Sequence, residues 1–282
     1  MRKKVAYQGI TGSFSSVAAR KLFGNDVLPI ETTRFRDIFE HVARGEAEFG
    51  VVPIENALAG SVHENYDLLA AYSCFITAEV YCPVQLNILS CSPGTKLSDI
   101  RQVISHPKAL EQCSQFLEQH EEITQLVFSD TAGAAKYVSE LKDVSAAAIA
   151  SEEAATHYNL NVVARSVQNH ALNMTRFFAI SASDSACSSA TKCSLILSLN
   201  HQPGSLYQLL GEISALGINL TKIESRPIVG QPFQYAFHLD LQCEAGHEAE
   251  LRLCAEKIAA NTLTCRALGF YSAAEPQLKT CC

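Results

Sequence analysis

No block of lysine or arginine stands out in this 282-residue chain, whose 22 basic residues are outnumbered by 29 acidic ones to give a net charge of −7. A general nucleic-acid-binding role, which needs basic side chains along the phosphate backbone, is therefore not expected. No apolar run approaches the roughly 20 residues of a membrane span. The opening MRKKVAYQGITGSFSS passes from basic residues into a strand-like segment and a Gly/Ser turn, without the apolar core of a signal peptide. The expected location is the cytoplasm. Eleven cysteines are present, yet Cys74, Cys82, Cys91, Cys113, Cys187, Cys193, Cys243, Cys254 and Cys265 form no C-x-x-C pair and no histidine-spaced ligand set. Most read as small buried thiols, so no metal is expected. Cys281 and Cys282 fall on a tail expected to be exposed, where oxidation would be an artefact of handling.

What is there is 48% hydrophobic, enough for a substantial core, at a length that suggests two domains. The run SASDSACSSATK (181–192) is small, polar and without periodicity, and it divides two differently patterned regions. Before it, the apolar runs KVAYQG, FGVVPI, QLNILS, RQVISH, AAAIAS and RFFAI alternate with helical stretches at 14–23, 34–44, 108–120, 132–140 and 151–157. That alternation predicts an α/β layered sheet. After it, CSLILSLN, a helix from about Ser205 to Leu216, LTKIESRPI, QYAFHLDLQ, a helix from about Glu248 to Ala259, and CRALGFY read as β-α-β-β-α-β, the ferredoxin-like order. The boundaries are placed at 1–181 for the first region, 182–192 for the linker, 193–272 for the second region and 273–282 for the tail.

Polar residues cluster where strands end. In YQGITGSFSSVAARKLF a strand, a glycine turn and a helix start would aim Thr11, Ser13, Ser15 and free N–H groups at one spot, suited to an anion. Simple capping is the commoner use of such a turn, and no Walker A lysine follows. Glu55 and Asn56 follow the apolar strand FGVVPI, and Gly60 and Ser61 read as the opening of a further helix. His106 ends another strand before Pro107, and Asp130 or Thr131 can cap the helix after FSD. Arg176 stands inside an apolar strand, where an unpaired guanidinium is costly, so an anion must match it, either a structural carboxylate or a ligand. Each turn alone reads as structural; together they predict a cleft for a small polyanionic organic acid. Two sheets facing across a cleft would resemble a periplasmic-type binding protein, in which the cleft either catalyses or only binds.

GVVPIENALAGSVHENYDLL, SHPKALEQC, NMTRF and GINLTKIESRP, in that order, resemble the prephenate dehydratase family with a C-terminal ACT regulatory domain, over nearly the whole chain. The resemblance implies a two-lobed catalytic region that converts prephenate to phenylpyruvate, water and carbon dioxide. Loss of the ring carboxylate supplies the electrons that expel the hydroxide, so no cofactor, metal or covalent intermediate is required. A proton must be supplied. Thr175 of the Thr-Arg-Phe motif is the first candidate to hydrogen-bond the departing hydroxyl, with Glu55 second, if a dry cleft keeps its carboxyl protonated, and His106 third. Arg176 is expected to grip a substrate carboxylate, Phe177 to wall the site against water, and Asn56, Ser13, Ser61 and Thr131 to anchor the substrate. Lys108 stands where the family commonly has glutamine, and Ala57 where it commonly has serine. Lys108 is retained as a substrate contact because a lysine can replace an amide toward an anion.

The second region resembles phenylalanine-sensing ACT domains. The resemblance implies an effector site for L-phenylalanine at Gly204, Ser205 and Leu206, with Asn219, Leu220 and the motif Glu224, Ser225, Arg226 and Pro227, closed by a facing chain in a homodimer or homotetramer. A plain dimerisation module is the alternative. Arogenate dehydratase shares these motifs, and an amino-acid sensor without catalysis is the other rival. A chain that starts at its first strand leaves no room for a helical chorismate mutase domain, so a monofunctional enzyme is expected.

Overall fold

The computed structural model describes residues 2–184 and 187–276. Cys281 and Cys282 lie outside the described residues. The chain opens with β1 (Lys3–Gln8), α1 (Phe14–Phe23), β2 (Val27–Thr32), α2 (Phe35–Ala43), β3 (Phe49–Asn56), the short β4 (Gly60–Ser61), α3 (His63–Ala71) and β5 (Phe75–Pro83). It continues through β6 (Asn87–Ser90), β7 (Gln102–Ser105), α4 (Pro107–Gln112), α5 (Ser114–Glu118), β8 (Thr124–Val127), α6 (Thr131–Leu141), β9 (Ala146–Ala150), α7 (Glu152–His157) and β10 (Asn161–Ala164), then returns by β11 (Met174–Ser181). Next come β12 (Lys192–Ser198), α8 (Ser205–Ala215), β13 (Asn219–Pro227), β14 (Tyr235–Gln242), α9 (Glu248–Asn261) and β15 (Thr264–Tyr271).

Three sheets result. The first has the order β2-β1-β3-β11-β5 with β4 on β3, and the second β10-β6-β9-β7-β8. The chain crosses between them twice, after β5 and before β11, which gives a two-lobed arrangement. In β1, Val5, Ala6 and Tyr7 are all buried, as a strand covered on both faces requires. Every residue of β9, AAAIA, is buried, and its small side chains let the alanines of α6 pack closely against it.

The third sheet is antiparallel with the order β13-β14-β12-β15, the ferredoxin-like βαββαβ unit. One face holds α8 and α9 over Leu195, Leu197, Leu239 and Leu241. The other face packs on the first lobe, where Leu268 and Tyr271 join Ile54, Leu69, Ile76 and Phe178 in one core. A fully buried side chain of this size contributes about 1.5–3 kcal/mol. The approach is close enough at Gly269 that a Cβ would collide with the Ile76 carbonyl oxygen.

Two local expectations are corrected. The helix expected over 108–120 breaks at the buried Cys113, whose φ of −112° and ψ of 15° are not helical. Gly60 and Ser61 do not open a helix: they pair with Asn56 and Glu55 as β4, and α3 begins at His63.

Candidate active site

The site is built on one step of the β3–β11 ladder. Thr175 lies opposite Asn56, and Arg176 lies opposite Glu55. Neighbouring residues of a strand point to opposite faces, so Thr175 and Arg176 serve different surfaces. Asn56 Oδ1 accepts from the backbone N–H groups of Leu58 (3.0 Å) and Ala59 (2.9 Å). This turns its Nδ2 toward Thr175 Oγ1 (3.0 Å), Asn173 Oδ1 (2.7 Å) and the Met174 carbonyl oxygen (3.2 Å). Thr175 Oγ1 therefore accepts from Asn56 and keeps its own hydrogen to donate, and a hydroxyl that accepts is polarised into a better donor. Asn56 is corrected from substrate anchor to the group that aims Thr175.

The two lobes meet beside this step. Ser151 Oγ, at the end of β9, donates to the Gly12 carbonyl oxygen (2.7 Å), and the Tyr158 hydroxyl donates to that of Thr11 (2.8 Å). Gly12 has φ of 97°, and a Cβ there would sit 3.0 Å from Ala154 Cα, so only glycine allows the approach. Phe14 packs against the cores of both lobes. The anion site expected at this turn is corrected to a cap. Ser13 Oγ accepts from Ser16 N–H (3.3 Å), and the Thr11 N–H and hydroxyl both donate to Glu31 (2.6 and 2.8 Å).

On the second lobe, His106 caps α4, its Nδ1 accepting from Lys108 N–H (3.2 Å). A neutral His106 bonded this way carries its hydrogen on Nε2, where it can donate. Lys108 is exposed and contributes that backbone N–H. The cap of α6 is Asp130, which accepts from Gly133 N–H (2.7 Å), leaving Thr131 half-buried in the first turn.

The opposite face overturns several expectations. Arg176 is 5% exposed and is held by side chains of this chain, not by a ligand. Its Nε donates to Glu79 (2.7 Å), Nη1 to Asp240 (2.5 Å) and Nη2 to the Tyr271 hydroxyl (3.4 Å), while the guanidinium lies 4.6 Å from the Phe178 ring centroid. Lys192 Nζ donates to both oxygens of Glu79 (2.9 and 3.1 Å), and the Ser194 hydroxyl to Asp240 (2.6 Å). Two cations and two carboxylates thus form a neutral cluster between the first lobe and the third sheet. Burial alone would lower the Arg176 pKa, but Asp240, Tyr271 and Glu79 outweigh it and the pKa is raised.

Glu55 and Ser61 face the same seam. Lys222 Nζ donates to Glu55 (2.7 Å) and to Ser61 Oγ (2.9 Å), and the Ser61 hydroxyl donates to Glu224 (2.6 Å). Glu55 is corrected from proton source to ion-pair partner, and Ser61 from substrate anchor to a link between sheets. Phe177 shares the face of Thr175 but packs beneath it with Val80 and Cys82 at 2% exposure, so it belongs to the core.

In the third sheet, a cavity of about 590 Å³ opens at the start of α8, lined by Ser205 and Leu206 with Asn200, Tyr235 and Phe237 among others. Gly204 (φ 87°) caps α8 beside it. Glu224 and Arg226 do not reach this cavity. Arg226 grips Asp67 with two hydrogen bonds (2.9 and 2.7 Å), and Glu224 also meets His63 (3.3 Å). Burial would raise the Glu224 carboxyl, but the Ser61 hydrogen bond and the Lys222 and His63 charges hold it below its ordinary value. Ser225 and Pro227 are exposed, and Asn219 and Leu220 lie at the far end of β13, beside Gln242 and Leu241.

Sequence reasoning missed Asn173, Ser151, Tyr158, Glu79, Lys192, Lys222 and Asp240. For Asn173 a signal was present, since two-residue alternation carries it onto the face of Thr175. The partners across the seam are far apart in sequence and left none. Among the described residues no group of three or more His, Cys, Asp or Glu is placed to hold a metal ion, and no helix is long and apolar enough to cross a membrane.

The family model for prephenate dehydratase matches residues 5–185. Arogenate dehydratase/prephenate dehydratase 2 of Arabidopsis thaliana is 39% identical over 259 residues, covering 88% of this chain and 67% of that protein. The bifunctional chorismate mutase/prephenate dehydratase of Aquifex aeolicus is 34% identical over 270 residues, covering 95% and 73%. Among solved structures, the prephenate dehydratase of Arthrobacter aurescens in complex with L-Phe superposes with a TM-score of 0.84 at 27% identity, covering 96% of this chain and 90% of that one. GqqA, described as a quorum-quenching acylase, superposes at 0.85 with 29% identity, covering 96% and 98%.

Proposed function

Because this chain belongs to the prephenate dehydratase family of lyases, we propose that it converts prephenate to phenylpyruvate and is inhibited by L-phenylalanine bound at the third sheet. The observation that carries the reading is Thr175, whose hydroxyl accepts from Asn56 and so has its hydrogen free for a substrate oxygen. The bond between the ring and its carboxylate breaks, and the electron pair moves into the ring as carbon dioxide leaves. The bond to the ring hydroxyl breaks in turn, and its oxygen takes one proton to leave as water. Thr175 is a weak acid, so it orients that oxygen and relays a proton; His106, the candidate left once Glu55 is paired to Lys222, supplies it only as the imidazolium, in which Nδ1 no longer accepts from Lys108 N–H and the loss of the Nε2 proton returns a neutral ring.

An acylase reading, suggested by the neighbour GqqA, needs a base to take the Thr175 proton. The hydrogen-bond partner of Thr175 Oγ1 among the described residues is Asn56 Nδ2, a donor, which supports the lyase instead. Prephenate is favoured over arogenate only as the expectation from sequence, and the plant relative is named for both.

The effector reading rests on the cavity at the start of α8, whose Tyr235, Phe237, Leu199 and Leu206 would surround a ring while the helix N-terminus takes a carboxylate. The Arthrobacter structure was solved with L-Phe. Strand β13 is a sheet edge with Asn219, Thr221, Ile223 and Ser225 turned outward, which suits pairing with a second copy and would bring that copy's Asn219 and Leu220 to the effector. The test is turnover of prephenate and of arogenate, with and without L-phenylalanine, by the wild type and Thr175→Ala. The expected result is prephenate turnover that falls roughly 10²–10⁴-fold in the variant. Full activity in Thr175→Ala would remove Thr175 from the mechanism, and binding of L-phenylalanine without effect on rate would remove the regulatory claim.

A further inference from the structure

Two residues before Thr175, Asn173 carries a polar group that the site as described leaves unused. It is 1% exposed, and its Nδ2 has no hydrogen-bond partner among the described residues. The orientation of this amide is fixed by a chain of bonds. Asn56 Oδ1 is committed to the Leu58 and Ala59 N–H groups, so Asn56 Nδ2 must donate toward Asn173 and Thr175. Turning the Asn173 amide over would set two NH2 groups against each other. Its Nδ2 is therefore a donor without an acceptor, in a class of group that native proteins nearly always satisfy.

We propose that Asn173 Nδ2 is a second donor to the oxygen that leaves the substrate, acting beside Thr175; the proposal rests on the dehydratase reading. Asn173 and Thr175 are both bonded to one nitrogen of Asn56, so an oxygen held by the Thr175 hydroxyl lies in the neighbourhood of the Asn173 amide. Negative charge grows on that oxygen as its bond to the ring breaks, and a donor fixed in place beforehand stabilises the transition state more than the ground state. The amide keeps its hydrogen throughout. The proton that completes the departing water comes through Thr175, and the electron pair from the broken carbon–carbon bond stays in the ring.

Asn173→Asp separates this role from mere support of Asn56. The aspartate keeps an oxygen for Asn56 Nδ2 and replaces the unpaired NH2 by an oxygen, which repels the leaving group when ionised and donates to it when protonated. The expected result, on background-subtracted prephenate turnover, is a kcat lowered roughly 10²–10³-fold at pH 8, recovering as the pH falls through the titration of the new carboxyl, with no such recovery in the wild type. Wild-type activity at pH 8, or a folded variant that stays slow at every pH, would overturn the proposal, the amide then meeting an internal water or only supporting Asn56. Should the buried carboxyl prevent folding, Asn173→Ala carries the test by binding. An unreactive dihydro analogue of prephenate that keeps the ring hydroxyl should bind more weakly to the variant than to the wild type, and one without the hydroxyl equally to both; equal binding of both analogues would overturn the proposal. A wild type that turns over neither prephenate nor arogenate would instead remove the dehydratase reading.

Discussion

The two faces of a single ladder step, Asn56 with Thr175 and Glu55 with Arg176, share a backbone and differ in almost everything else. The Thr175 face carries amides and a hydroxyl, is partly open, and keeps a donor in reserve. The Arg176 face carries full charges and is closed by the third sheet, with each cation bonded to a carboxylate. The difference teaches that charge here holds the regions together, while neutral donors face the lobe junction. Asp240 and Lys222 of the third sheet hold Arg176 and Glu55, the residues adjoining Thr175 and Asn56. A coupled pair of states is what feedback requires, and this step is where both sides would bear on one element.

Breaking the closed face should have the largest effect. Arg176→Met leaves Glu79 with Lys192 as its one cation and Asp240 buried without any. Removing one member of a buried ion cluster costs about 3–5 kcal/mol, to be read as a fall in unfolding free energy by urea titration. Adding Asp240→Asn should recover part of the loss, since it removes the stranded carboxylate. If Arg176 gripped substrate instead, the variant would keep its stability and lose affinity, which would invert the comparison.

The same face predicts a pH dependence. His238 on β14 is buried against the Tyr66 ring, 5.0 Å between centroids, and neither ring nitrogen has a partner among the described residues. Burial pushes its pKa down to about 4, against the pull of Asp240, Asp67 and Glu224, with Arg226 pushing the same way as burial. The ordinary value is about 6.5, so the folded state binds this proton less well than the unfolded chain. The contribution to stability is fully present above about pH 6.5 and is lost as pH falls toward 4, by about 3 kcal/mol in total. His238→Phe should flatten that part of the stability profile relative to wild type, and an unchanged slope would mean that the imidazole is not excluded from its proton.

How far the sequence could be read follows the same division. The ferredoxin-like order and the β3–β11 strands were legible because strand periodicity and turn chemistry are local. Arg176 was correctly expected to need an anion, but the choice between a structural carboxylate and a ligand rested on Glu79 and Asp240, 97 and 64 residues away. Strand alternation alone separated Thr175 from Arg176 and Asn56 from Glu55, so assigning all four to one cleft conflicted with geometry the sequence already contained. Glu224 and Arg226 turn toward Ser61 and Asp67 of the first lobe, a direction the motif does not carry, since it marks only a place on β13.

The smallest expected effect lies at the rim of the closed face and marks where it ends. Arg226 meets Asp67 with two hydrogen bonds, the geometry of a strong pair, yet the Asp67 side chain is 50% exposed. Water competes for exposed partners, and salt screens them, so the pair should contribute about 0.5 kcal/mol, less as ionic strength rises. A double-mutant cycle with Arg226→Ala and Asp67→Ala in low and high salt reads this coupling directly. A coupling as large as that of Arg176, and insensitive to salt, would mean that the seam is sealed out to β13. In that case the outer strand, and any second chain paired to its edge, would bear on the lobe as firmly as the buried centre does.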